Sequence, residues 1–195
     1  MKAFGILASF LISSHVYAAS AYVLDTKASS LKWNARKVAG PHNGTVAIKS
    51  GTVTLDKGMP MSGEFVVDLS TITDLDITSA EFRNKLETHL KSEDFFNVAK
   101  FPEAMLKITG SKAGANGEFT CTAELTIKGI TKPVSFNAKI KEEGKTAKAT
   151  AQITINRLDW DIKYNSGKFF DVKKLGDKMI YDDVVFDLDL VANSK

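Results

Sequence analysis

The segment EFTCTAELTIK, residues 118–128, decides the fold class, because apolar and polar side chains alternate along its whole length. Its apolar side chains share one parity: Phe119, Cys121, Ala123, Leu125 and Ile127. Successive side chains of a strand point to opposite faces, so the segment predicts a strand with one buried and one solvated face. Such strands are typical of antiparallel sheets, since strands of parallel sheets are usually buried on both faces.

The same alternation recurs on both sides of this segment. Other clearly alternating runs predict strands at residues 134–141, 147–156 and 184–191. Less regular runs in the amino-terminal half predict strands at residues 22–24, 31–37, 45–48, 52–55, 64–69 and 104–109. Glycine-containing turns are predicted at residues 49–51, 56–58, 129–133 and 142–145. Roughly ten short antiparallel strands with brief connections predict a mainly β protein, either a sandwich or a closed barrel.

Residues 78–91 interrupt the alternation and predict a single helix. Large apolar side chains recur there every four residues: Phe82, Leu86 and Leu90. Thr78 is followed three residues later by Glu81, which is the capping-box pattern, and His89 lies beside the apolar positions. We expect a helix that begins near Thr78 and packs over an opening of the sheet.

The first 18 residues predict a secretory signal peptide. Lys2 precedes a short apolar run that ends in Val16-Tyr17-Ala18, with small side chains at the two cleavage positions. The run is shorter than the about 20 apolar residues that span a bilayer. We expect cleavage after Ala18, one mature domain at residues 19–195, and a location in the periplasm.

Composition and motifs argue against several classes of function. A formal net charge of +3 is too small to indicate nucleic-acid binding. The single cysteine, Cys121, lies in a strand pattern and is predicted to be a buried thiol. His42 and His89 lack the spacing of metal ligands, and Asp74 and Asp76 lack the other ligands of a calcium loop. The sequence therefore predicts no catalytic constellation, no cofactor and no metal site.

One strand pattern indicates a cavity within the sheet structure. The apolar face of residues 147–155 begins with Ala147, Ala149 and Ala151, where a solid interior would need larger side chains. Eight-stranded barrels are near the size at which a small ligand replaces the filling. Alanines that make room for a bulky neighbour or for the helix explain the same pattern.

The stretch from residue 159 to residue 182 is unusually long for an irregular connection, which is typical of functional or disordered loops. It and the segment after the helix are rich in rings: Phe95, Phe96, Phe101, Trp160, Tyr164, Phe169, Phe170 and Tyr181. Cations are interleaved with the later rings: Arg157, Lys163, Lys168, Lys173, Lys174 and Lys178. Rings beside fixed cations suit a ligand with an apolar tail and an anionic or polar head. From the residues alone, rings folded onto the sheet, with the lysines in water, are the simpler explanation of the pattern.

Several blocks of sequence carry a family resemblance. The most specific is His89-Leu-Lys-Ser-Glu-Asp-Phe-Phe-Asn-Val-Ala-Lys-Phe-Pro102. The others are Tyr22-Val-Leu-Asp25, Ser30-Leu-Lys-Trp33, His42-Asn-Gly-Thr45, Gly51-Thr-Val-Thr-Leu55, Leu125-Thr-Ile-Lys-Gly-Ile-Thr-Lys-Pro-Val134, Asn156-Arg157, Ile162-Lys-Tyr164 and Gly176-Asp177. Taken in their order along the chain, these blocks resemble the YceI-like family of polyisoprenoid-binding periplasmic proteins over essentially the whole mature chain.

The resemblance implies an extended, lipocalin-like antiparallel β-barrel with one short helix and an apolar tunnel along its axis. It also implies a carrier or storage protein for isoprenoid lipids, such as polyprenyl phosphates or isoprenoid quinones. Side chains expected to line or close the tunnel are Trp33, Phe82, Leu86, Phe95, Phe96, Phe101 and Trp160. Arg157, with His42 or His89, is expected to meet the polar head, and Tyr164 is expected to join the ligand-binding set.

Two other functions stay open on the sequence. An enzyme acting on a lipid or quinone would need a general base in the cavity, for which His42, His89 and buried carboxylates are candidates. A filled barrel acting as an interaction or stress-response module would carry no lipid and would expose an apolar patch near residues 159–182. For the carrier we expect transient membrane contact during lipid exchange, and the sequence leaves open whether the protein forms a homodimer.

Overall fold

The computed structural model describes residues 19–195, so the predicted signal peptide lies outside the described residues. The strands are β1 Ser20–Leu24, β2 Ser30–Lys37, β3 Gly40–Asp56, β4 Met59–Asp74, β5 Glu103–Ala113, β6 Glu118–Ile127, β7 Ile130–Glu143, β8 Thr146–Asn156 and β9 Ile180–Ser194. Two α-helices occur within these residues, α1 Ala80–Lys91 and the one-turn α2 Val172–Leu175, whereas the sequence predicted one helix. Short 3₁₀ turns lie at Ala115–Gly117, Arg157–Trp160 and Gly176–Lys178. The prediction of a mainly β protein is confirmed.

The strands form one closed antiparallel barrel. Hydrogen-bonded neighbours follow the order β3, β2, β9, β8, β7, β6, β5 and β4, and β4 pairs with β3 again to close the ring. Strand β1 also pairs with both β3 and β9, so β1 and β2 share one position of the barrel in succession. An Asx turn separates them, in which the Asp25 carboxylate accepts hydrogen bonds from the backbone N–H groups of Lys27 and Ala28.

The sequence predicted two strands joined by a turn at residues 49–51, but the structure has the single strand β3 there. It runs without interruption, and only the register against β4 shifts, between Ile48 and Ser50. Gly51 does not turn the chain. A Cβ placed on it would lie 2.6 Å from the Phe65 ring, so glycine here permits close packing.

The predicted turn at residues 129–133 is shorter in the structure. Ile127 pairs directly with Ile130, which leaves a two-residue hairpin of Lys128 and Gly129, both with positive φ, as type I′ turns require. Pro133 lies inside β7, where it pairs with Glu124 of β6.

Helix α1 begins one residue later than the capping pattern indicates. Its N-cap is Ser79, which makes no side-chain capping bond, so the predicted capping box at Thr78 does not form. The Arg83 guanidinium instead donates to the carbonyl of Ile77, and Asp74 holds the backbone N–H of Ile77. The helix packs against β4 as expected for a helix beside an opening of the sheet.

The two ends of the barrel differ. The end at which β4 passes into α1 also carries residues 157–179, the irregular connection from β8 to β9, and we call it the helical end. The opposite end carries short connections, including the hairpin turns at residues 57–58 and 144–145. None of the helices within residues 19–195 has the length and apolar character to cross a membrane.

Candidate functional site

The barrel encloses a cavity of about 210 Å³. Every strand from β2 to β9 contributes inward-facing side chains to its wall. Apart from Thr52, Cys121 and Arg157, all lining residues are alanine, valine, isoleucine, leucine, proline, phenylalanine or tryptophan. An apolar cavity of about 150 Å³ already stays dry and takes up benzene, so this space suits an apolar ligand.

Small side chains create much of the space. Ala147, Ala149 and Ala151 all line the cavity, which confirms the prediction that the alanine-rich face of β8 points inward. Ala151 lies opposite Ala138 of β7, and Ala147 lies opposite Ala192 of β9, so small residues also face each other across strands. Side chains this short cannot reach the middle of an eight-stranded barrel, and the interior stays open.

The cavity is elongated along the strands. Ala147 and Ile153 of β8 both line it, and six residue steps of about 3.3 Å separate them by roughly 20 Å. The lining continues to Arg157, Phe95 and Phe96 at the helical end. The shape therefore suits a long, narrow ligand better than a compact one.

Trp33, Phe95, Phe96 and Arg157 are the members of the predicted site that lie on the cavity wall. The Trp33 ring is buried, and its indole N–H donates to the carbonyl of Thr73 at 3.1 Å. Phe95 is also buried, whereas Phe96 is half-buried beside it at the helical end. Their contact with a ligand stays a prediction.

His89 and Tyr164 lie immediately behind this wall. The His89 ring stands edge-on to Phe95 at 5.0 Å and to Tyr164 at 4.6 Å between ring centroids. The His89 imidazole also bonds the Asp94 carboxylate at 2.8 Å. These contacts place both side chains as supports of Phe95, outside the cavity lining.

Helix α1 presents Leu90 to the cavity, not the predicted Phe82 or Leu86. The Phe82 side chain is 61% exposed, and Leu86 is half-buried beside the barrel. Eight residues of a helix at about 100° each rotate Leu90 roughly 80° away from Phe82. A four-residue repeat therefore drifts around the helix, and only its last member reaches the wall.

Phe101 and Trp160 also lie outside the lining. Phe101 is half-buried and packs on the Gly129 turn, where a Cβ would lie 2.9 Å from its ring. The Trp160 ring is 1% exposed, and its indole N–H donates to the carbonyl of Leu125 at 3.2 Å. Trp160 therefore ties residues 157–160 to β6 as a core residue, which the aromatic pattern of the sequence did not reveal.

Arg157 is buried at the helical end, and its guanidinium is largely occupied by the protein itself. It donates to the carbonyls of Ile162, Ile180 and Tyr181 at 2.7, 3.1 and 3.2 Å. A fourth donor meets the Asp182 carboxylate at 3.2 Å. Burial lowers the pKa of Arg157, and the Asp182 charge opposes that shift. One of five N–H donors remains for a ligand head group.

His42 lies apart from the lining, in a cluster with two carboxylates at the helical end. Its Nδ1 atom is 2.9 Å from Oδ2 of Asp76 and 3.9 Å from Oδ2 of Asp74. Burial raises the pKa of Asp74, whereas hydrogen bonds from Asn43 and His42 lower the pKa of Asp76. The prediction of no metal site rested on sequence spacing, which does not show that β3 brings His42 beside the end of β4.

Cys121 of β6 lines the cavity. Its side chain is buried, as its place in the strand pattern predicts, and burial raises the pKa of its thiol. A thiol of raised pKa is a poor nucleophile, so this residue acts as a small apolar part of the wall.

The helical end exposes large apolar side chains to solvent. In residues 157–179 these are Phe169, Phe170 and Val172, each about half exposed. Lys168, Lys173 and Lys174 flank them and are also exposed. We call these six residues the exposed patch.

A closed eight-position antiparallel barrel around an elongated apolar cavity defines the class of lipocalin-like β-barrels. Residues 22–192 match the model of the YceI-like domain, and the chain belongs to the YceI-like family. It is 36% identical to Protein YceI of Escherichia coli O157:H7 over 130 residues, which cover 64% of this chain and 65% of that relative.

Solved structures share the fold at lower identity. BcnA of Burkholderia cenocepacia superposes with a TM-score of 0.68 at 18% identity, over 86% of this chain and 98% of that one. A polyisoprenoid-binding domain from Saccharophagus degradans superposes with a TM-score of 0.63 at 14% identity, over 90% of this chain and 99% of that one. These superpositions confirm the predicted fold, and the match of residues 22–192 to the YceI-like domain confirms the predicted family.

Proposed function

We propose that this protein binds one isoprenoid lipid in its barrel cavity and carries or stores it in the periplasm. The observation that carries the proposal is the elongated cavity, whose wall is apolar except for Thr52 and Arg157. The similar domain from Saccharophagus degradans, which is described as polyisoprenoid-binding, supports the same ligand class. Polyprenyl phosphates and isoprenoid quinones both combine a long branched apolar chain with a polar head, and we propose a lipid of this kind.

The driving force is the removal of the apolar chain from water. Each buried methylene-sized group gains about 0.8 kcal/mol, so each five-carbon isoprene unit gains about 4 kcal/mol. Branched isoprene units fit a wall in which alanines lie among larger aliphatic side chains. The polar head belongs at the helical end, where Arg157 retains one free donor beside Phe95 and Phe96.

We propose burial as the mechanism, without catalysis. The cavity lining within residues 19–195 includes no histidine and no carboxylate, which are the general bases that an enzyme acting on the lipid would need. A filled interaction module would have a solid interior, and the open space along β8 argues against it. The exposed patch, which that module would also show, has a different role in the carrier.

We propose that the exposed patch touches a membrane surface during lipid exchange. Three apolar side chains of the patch are about half exposed to solvent: Phe169, Phe170 and Val172. Three exposed lysines flank them. Apolar side chains that enter the headgroup region, together with cations beside anionic lipids, are the usual means of interfacial binding. The patch lies at the helical end, so contact there would bring the same end of the cavity to the bilayer.

The ligand site is tested by filling the cavity. Ala151 lines the cavity opposite Ala138, and an Ala151→Phe variant would occupy the space that the lipid needs. We expect at least a tenfold loss of affinity for a fluorescent polyprenyl phosphate, measured by titration of the chain from Ala19. The matched control is Thr150→Phe, the neighbouring residue on the exposed face of the same strand.

Circular dichroism and the melting temperature establish that both variants are folded, since overpacking a core costs about 1–3 kcal/mol. Equal affinity of the two folded variants would place the lipid outside the barrel and would refute the proposal. A loss in Thr150→Phe alone would assign binding to the outer face of β8.

A further inference from the structure

A cluster of three side chains lies at the helical end: His42, Asp74 and Asp76. These residues come from two separate segments of the chain. His42 lies in β3, Asp74 is the last residue of β4, and Asp76 follows it by two positions. One ligand atom from each side chain lies within 4.8 Å of the other two. Both carboxylates direct their Oδ2 atoms toward Nδ1 of the imidazole.

The backbone around the cluster is held firmly. Gly44 pairs with Asp74, and a Cβ on Gly44 would lie 1.8 Å from the carbonyl oxygen of Thr73, so only glycine permits this approach. Trp33 donates its indole N–H to that same carbonyl. The Leu75 N–H donates to the carbonyl of Asn43 at 2.9 Å, which continues the contact between the two strands.

Each carboxylate uses one oxygen for the backbone and directs the other into the cluster. Oδ1 of Asp74 accepts from the Ile77 N–H at 2.8 Å, and Oδ1 of Asp76 accepts from the Asn43 N–H at 2.7 Å. Hydrogen bonds of this kind orient the ligands of metal sites from behind. The two Oδ2 atoms are therefore held in place before any ion binds.

Asp74 provides a second and independent observation. Its side chain is fully buried, and its Oδ2 is the one buried side-chain nitrogen or oxygen within residues 19–195 that has no hydrogen-bond partner. A buried polar atom without a partner is unfavourable, because it has lost its hydrogen bonds to water and gained none in the protein. The atom faces His42 and Asp76, where a bound cation would satisfy it.

We propose that His42, Asp74 and Asp76 bind one divalent transition-metal ion. An imidazole nitrogen and carboxylate oxygens are ligands of Zn²⁺, which binds them at about 2.0–2.2 Å and spaces them roughly 3.4 Å apart in a tetrahedron. The observed separations of 2.9 and 3.9 Å from Nδ1 bracket that value. Ca²⁺ and Mg²⁺ prefer sites built from oxygen alone, so the imidazole favours a transition metal.

The site would lie beyond the cavity lining at the helical end, on the inward face of the same strands. His42 pairs across strands with Ala35, which lines the cavity, and directly opposed residues of a sheet share a face. Asp74 follows the lining residue Ile72 by two positions along β4. Three protein ligands leave a fourth position of a tetrahedral ion for water or another oxygen ligand.

Calorimetric titration with ZnCl₂ tests the site on the untagged chain from Ala19, stripped of metal with EDTA. We expect one Zn²⁺ per chain, with affinity at least tenfold lower in both His42→Gln and Asp74→Asn. His89→Gln is the matched control, because His89 pairs with a single exposed carboxylate, Asp94. We expect its Zn²⁺ affinity to equal that of the wild type.

Absence of saturable Zn²⁺ binding in the wild type would overturn the proposal, as would equal affinities of His42→Gln and His89→Gln. Binding of Ca²⁺ as tight as that of Zn²⁺ would overturn the choice of a transition metal. His42 is half-buried, so His42→Gln keeps the test decisive if circular dichroism shows that Asp74→Asn does not fold. A Zn²⁺-dependent rise in melting temperature should appear in the wild type and in His89→Gln, and should be lost in His42→Gln.

Discussion

The Arg157 guanidinium donates to three carbonyls and to Asp182, and these bonds determine what the residue contributes. A side chain with four of its five donors engaged acts mainly as an internal clamp between residues 157–162 and the start of β9. The sequence shows Arg157 among aromatic residues but does not show its backbone partners, and its contact with a ligand head group stays a prediction that relies on the one remaining donor.

Replacement of Arg157 by Met should lower the free energy of unfolding by about 3 kcal/mol, because it leaves three carbonyls without their donor and leaves the Asp182 charge facing the more distant ammonium of Lys168, 3.9 Å away. Urea denaturation followed by circular dichroism measures the loss. Arg36→Met is the control, since Arg36 is exposed and should change stability by less than about 0.5 kcal/mol. A stability loss no larger than that of the control would contradict the clamp.

Phe96 and Phe82 allow a comparison between a residue of the cavity lining and a residue on the surface of the helical end. Phe96 is a half-buried wall residue, whereas Phe82 of α1 is 61% exposed and lies outside the lining. Phe96→Asp should place a charge against the lipid chain and lower the amount of lipid retained at least tenfold. Phe82→Asp should retain lipid at the level of the wild type.

Lipid retained per folded chain, determined from organic extracts of both variants, gives the comparison. Equal retention in Phe96→Asp and in the wild type would remove Phe96 from the site. Loss of lipid in Phe82→Asp would show that α1 binds the ligand in another position, with Phe82 turned toward the barrel.

Among individual residues, those that follow strand periodicity could be predicted from the sequence. The inward parity of Cys121 and of Ala147, Ala149 and Ala151 follows from alternation alone. The cluster of His42 with Asp74 could not be predicted, because its members lie more than 30 residues apart and meet only through the pairing of Gly44 with Asp74.

Among the elements, the strands and helix α1 were predictable in type, whereas α2 lies in a stretch predicted to be irregular, and several limits were not predictable. The apolar pattern of residues 45–55 is broken at Lys49-Ser50-Gly51, which resembles a turn, yet β3 continues because β1 and β4 pair with it on both sides. Helix α1 was correctly expected, but its start depends on contacts of Asp74 and Arg83 with Ile77. The local sequence does not indicate which distant residues will pair with a strand or hold the start of a helix.

The connection between β8 and β9 should mediate exchange of lipid with membranes. Replacement of both Phe169 and Phe170 by Ser should slow transfer of a fluorescent isoprenoid lipid to vesicles containing phosphatidylglycerol severalfold, and leave its equilibrium binding unchanged. Added salt should slow wild-type transfer as well, because it screens the patch lysines from anionic lipid.

The control for this transfer measurement is Met61→Ser, which removes an exposed apolar side chain at the opposite end of the barrel. Stopped-flow fluorescence reports the transfer rate of each protein. A double Phe variant that transfers lipid as fast as Met61→Ser and the wild type would refute membrane contact through the exposed patch.

The closure of the complete barrel follows from pairings that single segments do not specify. Alternation predicts that each strand has one buried face, and either a sandwich or a barrel satisfies it. The pairing of β3 with β4 closes the ring, and β1 and β2 together fill one strand position. The open interior then follows, because alanines face one another on β7, β8 and β9.

Mass spectrometry of an organic extract tests the carrier role of the folded protein. The chain would be purified without detergent from the periplasm of the cells that produce it, and its lipid content would be related to protein concentration. We expect one polyprenyl or isoprenoid-quinone species near one mole per mole of protein. An empty extract from folded protein that also fails to bind added polyprenyl lipid saturably would contradict the carrier role and favour a module without ligand.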